Sequence, residues 1–229
     1  MLLLPTTVVG LSADQSASAG PVTATSVLTA AKAALAAQKA VHLAVYSHAA
    51  SSKTTERVSA DLGPKSGTET ISEGQATITI RLTPKAGYLS GSPSGLSTFV
   101  DMPAAEIKKV GKDWIVVAVG SSQYSSLKND VLIGSIAGVL PAAKGTTVAR
   151  QNVKGTNLYV LSWTTAASGS TPKLSNTLTL SATGATLPIE ETTTASGSRE
   201  TLTLSKWGER VDIAAPPAGS TIPFSKVSG

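Results

Sequence analysis

The sequence predicts an α+β protein, a single large curved antiparallel β-sheet with helices packed on one face. Three observations carry this. An amphipathic segment near the start is followed by runs in which apolar and polar residues alternate. A helical stretch interrupts those runs in mid-chain. A second series of alternating runs, joined by Gly/Ser/Asn turns, continues almost to the end.

The first helix is expected over residues 25–40. Val27, Ala31 and Leu35 fall at i, i+4 and i+8, Leu28 and Ala34 lie beside them, and Thr25 or Ser26 can cap the first turn. A strand follows in which Val41, Leu43 and Val45 alternate with His42, Ala44 and Tyr46. The cleanest alternation spans residues 75–83: Ala76, Ile78, Ile80 and Leu82 on one face, Thr77, Thr79, Arg81 and Thr83 on the other. That is the mark of a sheet with one face buried and one wet. Residues 85–90 turn back as its neighbour.

Residues 96–110 read as a broken helical stretch with Pro103 at a helix start. Residues 113–119 form a short strand, and 123–140 a helical segment stopped by Pro141. Strands return at 147–153, 157–165, 174–182, 185–194 and 199–207, with a last extended piece at 222–224. Turns at 167–170 and 195–198 are short, so the strands they join are antiparallel.

Composition narrows the function. The chain has 229 residues, enough for a sizeable core in one domain. It has no cysteine, which excludes disulfides, thiol nucleophiles and thiolate metal sites. Its net charge of +5 is scattered and its aromatic content is 4%, which leaves no base-stacking surface for nucleic acid. A mildly basic surface suits association with an anionic membrane.

Catalytic patterns lack their partners. The two histidines, His42 and His48, share a strand face at a separation of ~20 Å and cannot share a metal. Ser125-Ser126-Leu127-Lys128 matches the serine–lysine motif S-x-x-K, but its companion motifs are missing and Lys144-Gly145-Thr146 has the wrong order. Glu190 and Glu191 are adjacent on a strand, hence on opposite faces, and read as a solvated edge. Trp114, Trp163 and Trp207 read as structural anchors. The expectation is a protein with no catalytic residues, no metal and no cofactor.

Residues 2–13 are apolar, suit a signal-peptide core and are too short to span a bilayer. Ala17-Ser18-Ala19 supplies a cleavage pattern. No Lys or Arg precedes the apolar run, which fits a start site placed downstream of the true one. Leu11-Ser12-Ala13 matches the first three positions of a lipobox, but Asp14 stands where the lipidated cysteine is required. The chain is therefore expected to be exported, to the cell envelope at the outer face of the plasma membrane or as a secreted protein.

Gly111-Lys112-Asp113-Trp114, Tyr88-Leu89-Ser90-Gly91, and Lys206-Trp207-Gly208-Glu209 followed by Val211 and Ala215-Pro216-Pro217 resemble segments of the LppX/LprG group of envelope lipoproteins. With the strand order, the resemblance covers most of residues 25–220. It implies a half-barrel shared with LolA-type lipid carriers, helices on its concave face, and an apolar cavity that holds acyl chains. On this reading residues 1–22 are a signal-like or disordered N-terminus and 23–229 a single LolA/LppX-like domain.

The apolar strand face supplies the candidate ligand-binding residues: Leu43, Val45, Ile78, Ile80, Leu82, Val160, Leu178, Leu180 and Leu204, with Leu158 and Leu202 beside them. With only two Phe and two Met, the sheet has few bulky fillers, which favours an unfilled pocket. The expected partner is a hydrophobic small molecule or lipid, bound by a monomer that carries or presents it. The alternative is a ligand-free surface interaction or structural module with a closed core.

Overall fold

The computed structural model describes residues 22–49, 54–167 and 172–227. The signal-like segment 1–22, apart from Val22, and most of the turn expected at 167–170 lie outside the described residues.

Twelve strands form one sheet. They are β1 (Val41–His48), β2 (Thr55–Leu62), β3 (Gly67–Glu73), β4 (Ala76–Leu82), β5 (Ala86–Gly91), β6 (Trp114–Ala118), β7 (Thr147–Val153), β8 (Thr156–Thr165), β9 (Leu174–Ser181), β10 (Pro188–Ala195), β11 (Ser198–Ser205) and β12 (Thr221–Pro223). Their order is β12-β6-β5-β4-β3-β2-β1-β11-β10-β9-β8-β7, so the sheet is open, with β1 and β11 joining two meanders at its centre. All pairs are antiparallel except β12, which runs parallel to β6. Tight turns enforce the hairpins: Lys154-Gly155 and Ser196-Gly197 both adopt positive φ at both positions, the geometry a two-residue hairpin loop requires.

The α+β class and nearly all the expected strands are present. Strands β2 and β3 fill the interval 47–74, to which no strand was assigned from the sequence. Glu191 corrects the solvated-edge expectation: β10 lies inside the sheet, and while Glu190 is exposed, Glu191 is half-buried.

Side chains opposite one another across the sheet share a face. One row runs Leu204–Leu43–Ala60–Glu69–Ile80–Leu89–Ile115 across seven strands. The next runs Leu202–Val45–Val58–Ile71–Ile78. This is the helix-covered face. On β8 that face belongs to Tyr159, Leu161 and Trp163, which oppose Leu180, Leu178 and Asn176. Val160 opposes Thr179 and Ala149 and therefore points to the other side, as does Leu158. The expected placement of Val160 with Leu178 and Leu180 is corrected: β8 carries apolar residues at both parities, so alternation alone does not identify its inner face.

Helix α1 (Ala24–Ala36) is capped by Thr23, whose hydroxyl accepts from Ser26 N while Ser26 Oγ accepts from Thr23 N. The reciprocal cap starts the helix earlier than expected. Its buried residues Val27, Leu28 and Ala31 form one core with Leu161, Leu178 and Leu180. The second, larger core lies over β1–β6 and is covered by α2 (Pro93–Val100), α3 (Ala104–Val110), α4 (Ser122–Asp130), a 3₁₀ segment (Ile133–Val139) and α5 (Phe224–Val227). Two glycines permit close approach: a Cβ on Gly95 of α2 would strike the Thr77 carbonyl of β4, and one on Gly67 of β3 would strike the Val131 carbonyl after α4.

Trp207 packs on the larger core and donates its indole N–H to Pro188 O at 3.1 Å, tying the end of β11 to the start of β10. Trp207→Phe keeps most of the ring area but strands that carbonyl. A loss of about 1 kcal/mol in urea unfolding is expected.

Candidate functional site

The 3₁₀ segment contributes to two hollows on the helix-covered face. The first, of about 410 Å³, lies between α1 and that segment and is lined by Leu35, Ala36, Ile133, Ile136 and Leu140, with Lys32 and Gln38 at its polar side. The second, of about 540 Å³, lies between the sheet and α2 and α4. Ile78, Ile80 and Leu89 form its floor, Phe99 and Leu127 its roof, and Glu69 and Asp130 its acidic side.

Local sequence explains the second hollow. Ser92 caps α2, with Pro93 in its first turn, and Gly95 lets the helix lie on the β4 backbone. Ser121 caps α4 by accepting from Tyr124 N at 3.1 Å, and Tyr124 Oη donates to Thr83 O at 2.9 Å, fixing α4 to the β4–β5 turn. Beyond α4, Val131 is fully buried against the backbone at Gly67, and Ile133 N donates to Gly63 O at 3.1 Å. Asp130 is thereby held beside Glu69.

Glu69 is the one charged residue in its seven-strand row. Burial, and after it the charge of Asp130, push its carboxyl up to about 7. Glu191 is likewise raised above the ordinary carboxylate range by burial and by Glu200. Native Glu69 holds its proton more tightly than the unfolded chain does, so its contribution costs nothing at low pH. Stability then falls as pH rises from 4.5 to about 7. Glu69→Gln is expected to leave stability nearly unchanged at pH 4 and to raise it by about 2 kcal/mol at pH 8, a figure reduced from the full shift for the group's partial exposure. Denaturant titrations at the two pH values read it directly.

Of the expected ligand residues, Ile78 and Ile80 line this hollow. Leu43 and Val45 are half-buried on the same face, in the rows that Ile80 and Ile78 continue. Leu82, Leu178, Leu180 and Leu204 are 0–3% exposed and belong to the two cores. Val160 lies on the opposite face. Glu69 escaped the sequence reading because residues 67–73 showed no strand signal. The 28 unassigned residues between the strand starting at Val41 and the run starting at Gln75 were the available clue, since so long a connection normally contains structure of its own.

The other candidates have ordinary roles. Ser125 Oγ donates to Ser121 O at 3.1 Å and Ser126 Oγ to Ser122 O at 3.3 Å, bonds within the exposed face of α4. His42 Nδ1 and Asp61 Oδ1 lie 2.8 Å apart on the outer face of the sheet. Among the described residues no group of three His, Cys, Asp or Glu could hold a metal ion, and no helix is long and apolar enough to cross a membrane.

No family profile and no curated protein sequence matches the chain. Solved structures do. The Mycobacterium tuberculosis lipoprotein LppX is 16% identical, with a TM-score of 0.51 over 83% of this chain and 98% of LppX. LprF from Mycobacterium bovis is 18% identical, with a TM-score of 0.52 over 84% of this chain and 96% of LprF. The chain has the fold of LppX and LprF. The open twelve-stranded sheet is thus an LppX-like half-barrel, and the second hollow lies between that half-barrel and the helices laid across it.

Proposed function

We propose that this chain is an exported cell-envelope binding protein whose residues 23–229 act as one carrier domain, holding a lipid or other hydrophobic ligand between the LppX-like sheet and its helices. The observation that carries the reading is the hollow of about 540 Å³ floored by Ile78, Ile80 and Leu89 and roofed by Phe99 and Leu127. An alkyl chain seated there gains about 0.8 kcal/mol per buried CH₂. Leu43 and Val45 extend the same apolar face, while Leu82 and Leu204 belong to the larger core and Leu178 and Leu180 to the smaller one. The likeness to a Mycobacterium tuberculosis lipoprotein supports the location, as does the signal-like composition of residues 1–22.

The role proposed is binding without catalysis. Ser125, the serine of the S-x-x-K match, and its neighbour Ser126 are engaged with their own helix backbone, and neither lines the hollow. Native mass spectrometry of protein purified from a mycolate-producing host tests the reading. Co-purifying lipid, lost when Ile80 is replaced by Trp to fill the hollow, is the expected result. A clean apo mass that persists after incubation with a lipid extract would overturn it.

A further inference from the structure

The floor of the hollow is apolar along its whole row except at one position. Leu204, Leu43 and Ala60 lie on one side of Glu69, and Ile80, Leu89 and Ile115 on the other. Burying an unpaired carboxylate in such a row is costly, and no cation among the described residues relieves it. Arg81 of β4 opposes Thr68 and Tyr88 and so faces the outer side. Helix α2 and the 3₁₀ segment carry no charged residue at all. From α4 the hollow receives Asp130 and not Lys128, which is exposed. The remaining acids on this face of β2 and β3, Glu56 and Glu73, oppose each other farther along, and Glu73 accepts from Thr54 at 2.5 Å.

Resting on the carrier reading above, we infer that Glu69 sets the specificity of the hollow: it admits alkyl chains that end in an uncharged hydroxyl and rejects those that end in a carboxylate. The chemistry is direct. An ionised carboxyl only accepts hydrogen bonds, and a ligand hydroxyl can donate one. A ligand carboxylate offers no proton and brings a third negative charge beside Glu69 and Asp130. Once Glu69 is protonated it becomes a donor, and the discrimination relaxes. Burial and the Asp130 charge place that change at about pH 7.

Equilibrium dialysis with dodecan-1-ol and dodecanoate, two probes of one chain length, separates the outcomes. At pH 8 the alcohol is expected to bind about tenfold more tightly than the carboxylate, a gap that follows from one like-charge contact at partial burial. The gap should narrow at pH 5.5. Glu69→Gln should abolish the pH dependence. Asp130→Asn, which removes one of the two causes of the shift, should move its midpoint to lower pH. A purely structural Glu69 would not produce that midpoint shift. Equal binding of both probes at pH 8, unchanged in Glu69→Gln, overturns the specificity inference and leaves the carrier reading intact. Failure of both probes to bind at either pH overturns the two together.

Discussion

Gly67→Ala is expected to destabilise the protein by about 3 kcal/mol. The new Cβ would lie far inside van der Waals contact with the Val131 carbonyl oxygen, a backbone atom that no rotamer change can move aside. Val131 is fully buried, and the neighbouring Ile133 N is bound to Gly63 O, so the segment after α4 cannot retreat without breaking a hydrogen bond and opening the core. The same displacement carries Asp130 away from Glu69. A lowered Glu69 titration midpoint, followed by side-chain NMR, should therefore accompany the drop in denaturation midpoint. Loss of stability with an unchanged Glu69 titration would show that Asp130 is not held by this contact.

Leu178→Ala should cost about 3 kcal/mol, within the range of buried leucine truncations. Leu178 is 0% exposed and joins Leu161, Leu180, Val27, Leu28 and Ala31 in the smaller core. That core holds the buried residues of α1, whose Leu35 alone packs against the larger core. Hydrogen exchange should thus accelerate in α1 before it does in β3–β5, whose residues belong to the other core. Uniform acceleration across both regions would mean that the two cores unfold as one unit.

Residues with a clear period and a clear boundary were legible. β4 alternates without exception, and its Ile78 and Ile80 reach the hollow as the pattern implied. The Ser-Gly turn placed the β10–β11 hairpin correctly. Where two faces carry similar residues, alternation loses its meaning. β8 has Leu158 and Val160 on one parity and Tyr159, Leu161 and Trp163 on the other, and only pairing with β9 decides between them. β3 carries Glu69 and Glu73 on its inner face and Thr68, Thr70 and Ser72 on its outer face, and β2 alternates only briefly, at Val58, Ala60 and Leu62, so both pass for loop until their neighbours are known. Glu69 was hidden for that reason, and its importance comes from the apolar side chains opposite it, which lie in other strands. The parallel pairing of β12 was equally invisible, because a three-residue strand has no pattern to read.

The placement of β11 and β12 has a consequence for how the chain is made. β1 lies against β11, with His42 opposite Ser205, and β6 is completed only by residues 221–223. A polypeptide emerging N-terminus first cannot close the centre of its sheet before residues 198–205 have appeared, nor finish the β6 edge before residues 221–223. Pairings so distant in sequence form slowly. Until residues 198–223 have emerged, the sheet of a nascent chain stays incomplete at its centre and along β6.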